Sequence, residues 1–213
     1  MFQTIFVEPL TNILKFLSLY LNDFGLAIIT FSLFLKILTS PLSFLQFREE
    51  IKLKKINEKI NKLAKKEKDI FKKAEIISKI YEEENFNPFY NFLIQLSTLP
   101  FYLAAFFVIQ NFLKNLTNPY FLNLIDLTKP NIFLGSLVIF IQLIFVFIQP
   151  KEYRKMLLFI TAIFSGIIFL FSSGFLLYIF GIIVLGLIER KLFNWYYIKS
   201  SVISVEENNS YRG

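Results

Sequence analysis

The sequence predicts an all-α membrane protein with five transmembrane helices, an N-terminal interfacial amphipathic helix and a cytosolic helical hairpin. Three observations carry that expectation. Apolar residues make up 55% of the 213-residue chain, and its 28 Phe are strung along extended runs instead of being gathered into one soluble core, the composition of a polytopic membrane protein. Five of those runs approach the roughly 20 apolar residues that cross a bilayer. The basic residues, finally, fall almost entirely into alternate loops.

The spans follow in order. The first is Phe24 to Leu42. The second is Phe89 to Phe112, interrupted by Pro100, which a membrane helix tolerates because its neighbours re-satisfy the freed backbone groups. Ile132 to Ile148 is the third, stopped by Gln149-Pro150. Met156 to Phe171 and Gly174 to Ile188 are shorter and are read as two helices parted at Ser172-Ser173-Gly174. A single helix over both would reach about 50 Å, against a hydrocarbon core of about 30 Å.

Charge placement orients these spans. With five of them, the cytosolic side receives nineteen Lys and Arg: twelve between Phe44 and Phe86, then Lys151, Arg154 and Lys155, then Arg190, Lys191, Lys199 and Arg212. The outer side receives Lys15, Lys114 and Lys129. Basic residues are retained inside, so the expected topology is N-out and C-in, in the inner (plasma) membrane. The domain division is residues 1–22 for the interfacial helix, 23–192 for the five-span core with its hairpin at 44–86, and 193–213 for a cytosolic tail.

The N-terminal stretch lacks the basic start and small-residue cleavage site of a signal peptide. From Pro9 onward, Leu10, Ile13, Leu14, Leu17 and Leu21 share one helical face and Thr11, Lys15, Ser18 and Asn22 the other, the pattern of a helix lying flat in the interface. The loop from Phe44 to Phe86 holds no Pro or Gly, and Ile51, Ile56, Ile60 and Leu63, then Ile70, Ala74, Ile77 and Tyr81, recur at helical spacing. It reads as two antiparallel helices turning near Lys65-Lys66-Glu67-Lys68-Asp69, either a solvated linker or an arm that docks a ribosome or a targeting receptor.

Lys36 stands alone among apolar and hydroxyl side chains in the first span. A charge there costs about 2.5–3.5 kcal/mol on insertion scales and is usually kept for a function. Ser32, Lys36, Thr39 and Ser43 follow at four, three and four residues and share one face; Asn91, Gln95, Thr98 and Tyr102 repeat the spacing on the second span, Gln142 and Gln149 lie seven apart on the third, and Thr161, Ser165 and Ser172 share a face of the fourth. Such stripes are satisfied by facing one another around water, the geometry of a hydrophilic groove. No carboxylate falls within the five spans as drawn, so the expectation is that Lys36 has no built-in ion partner and is served by substrate, water or a lipid headgroup. The chain has neither Cys nor His, which removes thiolate chemistry, disulfides and the commonest general base and metal ligand. No catalytic residue, metal or cofactor is expected.

These features together resemble the YidC family of membrane protein insertases over Asn22 to about Lys191. Gly25-Leu26-Ala27-Ile28-Ile29 with Lys36 before Pro41-Leu42 is similar to the family's first span, where an arginine occupies the Lys36 position. Gln46, Ile80-Tyr81, Asn87-Pro88, Pro100-Phe101-Tyr102-Leu103-Ala104, Gln149 and Ser173-Gly174-Phe175-Leu176-Leu177-Tyr178 follow in the family's order. Thr98 stands where glutamine is common, and Lys36 keeps the charge of arginine without its planar fork. The resemblance implies a core-only insertase that guides newly made membrane proteins into the bilayer without nucleotide, through a groove formed by Lys36, Ser32, Thr39, Gln95, Thr98, Tyr102, Gln142, Thr161, Ser165 and Tyr178. Nascent membrane proteins and lipids are the expected partners, with the ribosome, a targeting receptor and the Sec translocon as further candidates and no DNA. A structural assembly factor or chaperone for membrane complexes, and a small transporter, are the alternative classes.

The topology is open to test. With cysteines introduced as Lys68→Cys and Val205→Cys, both positions should be labelled only from the cytosolic side, and labelling of position 205 from outside would contradict five spans.

Overall fold

The computed structural model describes residues 1–63, 69–116, 119–148 and 151–210, and they are mostly helical. The chain divides into two units, residues 1–39 with 100–213 and residues 40–99. A single π-helical turn, Gln3–Val7, leads into α1 (Glu8–Leu21), and α2 (Phe24–Leu63) is one continuous helix. Then come α3 (Ile70–Glu83), α4 (Pro88–Leu96), α5 (Leu99–Lys114), a two-stranded ladder of β1 (Tyr120–Phe121) and β2 (Ile125–Asp126), α6 (Ile132–Ile148), α7 (Lys151–Ile168) and α8 (Ser173–Ser210).

By length and composition, Gln3–Leu21, Phe24–Leu63 and Pro88–Lys114 can each cross a membrane, and Ile132–Ile148 is a shorter apolar helix. The exposed surface agrees. Phe107, Phe133, Phe140, Phe147, Phe159 and Leu170 are among many large apolar side chains turned outward, as expected where the surrounding solvent is lipid.

The elements depart from the sequence reading in definite ways. Helix begins at Gln3, ahead of Pro9. A proline ring presses on the carbonyl four residues back, here Ile5, and the wide π turn at Gln3–Val7 makes room for it. The apolar face of α1 packs on protein: Leu10 and Leu14 are buried, and Ile13, Leu17 and Leu21 lie against the same core. Phe16, Leu19 and Tyr20 are left exposed. The helix ends at Asn22 in the left-handed conformation, φ 53°, which asparagine accepts more readily than most residues.

The first span and the arm that follows it are one helix, which passes through Pro41 without ending. The second span is broken: α4 stops at Leu96 and α5 starts at Leu99. Pro100 has no N–H to give the Leu96 carbonyl, and the chain tightens there, with Ser97 donating both N–H and hydroxyl to Ile94 O. The fourth helix runs from Lys151 to Ile168, earlier at both ends than expected. The fifth continues through the predicted tail to Ser210. The break between them covers residues 169–172, so of the expected Ser172-Ser173-Gly174 separator only Ser172 lies in it and α8 already begins at Ser173. The predicted turn at residues 65–68 and Gln149 lie outside the described residues.

In the unit of residues 1–39 and 100–213, one core gathers Leu14, Ala27, Ile28, Phe31 and Leu35 with Ala104, Ala105, Val108, Ile109, Val138 and Leu176. The β ladder is absent from the all-α expectation, because strands of two residues leave no periodicity to read. It pairs Tyr120 with Asp126 and Phe121 with Ile125. Leu122 and Asn123 both take positive φ in its turn, a strained state for leucine that costs roughly 1–2 kcal/mol. Asp23 offsets that strain. One carboxylate oxygen accepts from Leu26 N at the start of α2 and the other from Leu122 N, both at 2.9 Å. Asp126 accepts from the Thr128 hydroxyl at 2.6 Å and pairs with Lys129 at 3.0 Å; the hydroxyl first and the ammonium second hold its carboxyl down at about 2.

In the unit of residues 40–99, Ile56, Ile80 and Phe86 form a second core flanked by Leu53, Ile60, Ile76 and Tyr81. Asp69 caps α3 by accepting from Phe71 N, and Asn87 caps α4 by accepting from Phe89 N and Tyr90 N. α3 closes with Asn85 at φ 46° and Phe86 N bonded to Tyr81 O, a Schellman arrangement in which the Tyr81 and Phe86 rings meet at 5.4 Å. Lys59 pairs with Glu84, whose carboxyl is held below its usual range mainly by that hydrogen bond.

Gly25 provides a test of this packing. A Cβ there would lie 2.1 to 2.8 Å from Phe121 ring and Cβ atoms, so Gly25→Ala should destabilise by about 1–3 kcal/mol through overpacking. Thermal unfolding in detergent measures it, and Phe121→Ala in the same chain should recover part of the loss.

Candidate functional site

Lys36 lies roughly 18 Å along α2 from its start, at 1.5 Å per residue. Its Nζ is 2.6 Å from Glu189 Oε2, and both side chains are 13% exposed. This corrects the expectation that no carboxylate serves the lysine. Glu189 follows Ile188, where the apolar run ends, so a span drawn on hydropathy alone excludes it. The helix continues without a break and carries the carboxylate inward. Register contains the missing signal: Glu189 is eleven residues, close to three turns, beyond Tyr178, which places the two on one face of α8.

Glycines let α2 and α8 approach. A Cβ on Gly181 would meet Ser32 Cβ at 2.9 Å and Oγ at 3.0 Å, and one on Gly186 would sit 3.9 Å from Lys36 Cε and Nζ. A Cβ on Gly174 would meet Ile28 Cδ1 at 3.2 Å. Ile28, Ser32 and Lys36, spaced four apart on α2, therefore face Gly174, Gly181 and Gly186 in the same direction along α8. Small residues serve membrane helices in this way, by admitting a neighbour's backbone.

The remaining predicted site residues divide into groups. Ser32 is fully buried, donates to Ile28 O at 2.9 Å and reaches Tyr178 O at 3.5 Å. Thr39 is fully buried and donates to Leu35 O at 2.9 Å. Both hydroxyls are satisfied on their own helix, and neither side chain has exposed surface. Tyr178 is buried, stacked on Phe175 with centroids 5.8 Å apart, and Tyr102 packs partly buried against the same core. Thr161 is buried, and Ser165 donates to Ala162 O on its own helix. Gln142 Oε1, Tyr178 Oη and Glu189 Oε1 are buried without a hydrogen-bond partner among the described residues.

Gln95 and Thr98 belong to the other unit. There Gln46 Nε2 donates to Ile94 O at 3.0 Å, Gln95 O at 3.3 Å and Thr98 Oγ1 at 3.3 Å, closing the break before Pro100. Because of that break, Asn91, Gln95, Thr98 and Tyr102 do not form a stripe on one helix. Asn91 and Thr98 are buried and Gln95 is exposed.

A polar cluster set inside an apolar helical bundle defines a membrane protein with an internal ionic site. The profile of the 60Kd inner membrane protein family matches residues 16–200, and the chain belongs to that family. It is 27% identical over 193 residues to the membrane protein insertase YidC of Buchnera aphidicola subsp. Baizongia pistaciae, covering 87% of this chain and 36% of the relative. The YidC insertase of Clostridium tetani is 32% identical over 136 residues, 62% of this chain and 61% of that protein. That of Cellvibrio japonicus is 32% identical over 123 residues, 57% of this chain and 22% of the relative. The chain thus spans about a third of the first relative's length and less of the last.

The Lys36 and Glu189 pair makes a stability prediction. Removing one member of a buried pair strands the other, at a cost of about 3–5 kcal/mol, whereas apolar replacement of both is often neutral or stabilising. Lys36→Leu should therefore lower the thermal midpoint clearly, and Lys36→Leu with Glu189→Leu should restore it.

Proposed function

We propose that this chain is a membrane protein insertase that takes newly made membrane proteins from the cytosol into the bilayer, using Lys36 as the electrostatic centre of a hydrophilic intramembrane site. The carrying observation is the lysine itself: a cation held at 13% exposure on an apolar helix, where a purely structural residue would be cheaper as leucine. The family and the insertase relatives support the same reading.

In this account the membrane-crossing helices are the first part of α2, α4 with α5, α6, α7 and the first part of α8, with α1 at the outer interface, the N-terminus outside and the C-terminus in the cytosol. The helices of residues 44–86 form the cytosolic arm, a docking element for a ribosome, a targeting receptor or the Sec translocon. A polar or acidic segment of the substrate exchanges bulk water for Lys36 and for the unmet acceptor and hydroxyl of Gln142 and Tyr178. Its apolar part then partitions sideways into lipid, driven by about 25 cal/mol per Å² of apolar surface removed from water. The site lowers a barrier, and no nucleotide is needed.

The test compares two substrates that differ only in acidic residues of the translocated segment. Lys36→Arg should preserve insertion of both, while Lys36→Leu and more strongly Lys36→Glu should depress the acidic member beyond the neutral one. Scoring the ratio cancels general loss of folded protein. Equal losses for both members would contradict the proposed role of the charge.

A further inference from the structure

The resting site does not present a free positive charge, because Glu189 Oε2 sits 2.6 Å from the Lys36 ammonium. A carboxylate of an incoming segment meets a lysine already paired with a carboxylate on its own chain. We propose that Glu189 is a specificity-determining residue: an internal counter-ion that an acidic substrate residue must displace from Lys36, so that it sets how strongly the site favours acidic over neutral segments. This rests on the insertase reading above and adds a residue and a rule of selection to it.

Three features of the structure support an exchangeable pair over a structural clasp. Glu189 makes the Lys36 contact through one oxygen, and its other oxygen, Oε1, is buried without a hydrogen-bond partner among the described residues. A carboxylate kept for stability usually has its remaining lone pairs satisfied, since desolvation otherwise exceeds the gain from the pair. Gly186 sets no side chain of its own against the lysine head, since a Cβ there would lie 3.9 Å from Lys36 Cε and Nζ, and the glycine leaves that volume beside the ammonium open. The α2 and α8 contact, lastly, is already made by Ile28 and Ser32 against Gly174 and Gly181. The helices hold together whether or not the ions are paired.

Displacement is an exchange of one carboxylate for another on the same ammonium. The attraction to Lys36 is exchanged and nearly cancels only as the released Glu189 carboxylate is taken up by water entering with the segment, and the outcome then depends on how well each carboxylate is otherwise satisfied. Half-satisfied in its resting place, Glu189 is a weak competitor. A neutral segment gains nothing by breaking the pair and passes beside a site of no net charge. Removing the Glu189 charge therefore removes the competitor and sharpens the preference for acidic segments, the opposite of what removing Lys36 does.

The experiment uses the full chain reconstituted in vesicles with the same matched acidic and neutral substrates, and reads the ratio of their insertion yields in wild type, Glu189→Gln, Glu189→Asp and Lys36→Leu. Glu189→Gln should raise the acidic-to-neutral ratio several-fold, and Glu189→Asp, which keeps the charge and shortens the reach, should raise it less. Should the glutamine variant fail to fold, the aspartate variant alone carries the comparison. A clasp of purely structural value would lower both yields together and leave the ratio fixed. If the ratio stays at wild type or falls in both Glu189 variants while Lys36→Leu lowers it, the counter-ion role is overturned and the insertase reading stands. If neither Glu189 nor Lys36 moves the ratio, the charge-centred reading of the site fails with it.

Discussion

The approach of α8 to α2 is the constraint on which the site depends. Ser32 rests where Gly181 lacks a side chain, and Lys36 passes beside Gly186 before it meets Glu189. Without those glycines the helices would stand farther apart and the lysine would have to find its partner in water or lipid. With them, a cation and an anion occupy an apolar bundle as a nearly closed pair. Such a pair is a poor stabiliser, because two desolvated ions seldom return more than they cost. Its retention beside a fully packed apolar core points to use.

The second consequence of that contact concerns hydroxyls. Serine and threonine in membrane helices serve either as cavity lining or as glue between helices, and sequence spacing cannot separate the two. The hydroxyls of Ser32 and Thr39 return to the helix turn behind them and have no exposed surface, and Ser32 also seats against Gly181 of α8. Among the described residues, the buried side-chain atoms left without a hydrogen-bond partner include the Gln142 oxygen, the Tyr178 and Ser172 hydroxyls and one oxygen of Glu189. The chemistry available to a guest is thus narrower and more ionic than ten aligned polar residues suggest.

Much of this was legible in the chain, and the failures have physical causes. Lys36 is conspicuous because a lone charge breaks an apolar run, and Ile132–Ile148 is bounded as predicted because its run is uniform. Glu189 was missed because hydropathy assigns a boundary where polarity begins, while the helix is indifferent to that boundary and runs on to Ser210. Pro9 and Pro100 mislead in opposite senses: the first sits inside a helical segment because a wide turn absorbs its ring, and the second opens the helix before it because Leu96 loses its donor. The β ladder at Tyr120–Phe121 and Ile125–Asp126 is too short to leave a pattern, and Asp23 reaches it across ninety-nine positions of sequence, a contact that no local reading supplies.

The central claim is that Lys36 trades one carboxylate for another, and zero-length carbodiimide coupling tests it directly, because it joins an amine only to a carboxylate in contact with it. In the resting protein, mass spectrometry should find Lys36 joined to Glu189. With a stalled nascent chain carrying an acidic translocated segment in place, the Lys36 linkage should move to that segment and the linkage to Glu189 should fall. A Lys36 to Glu189 linkage that stays undiminished while the stalled acidic chain is engaged would contradict the account.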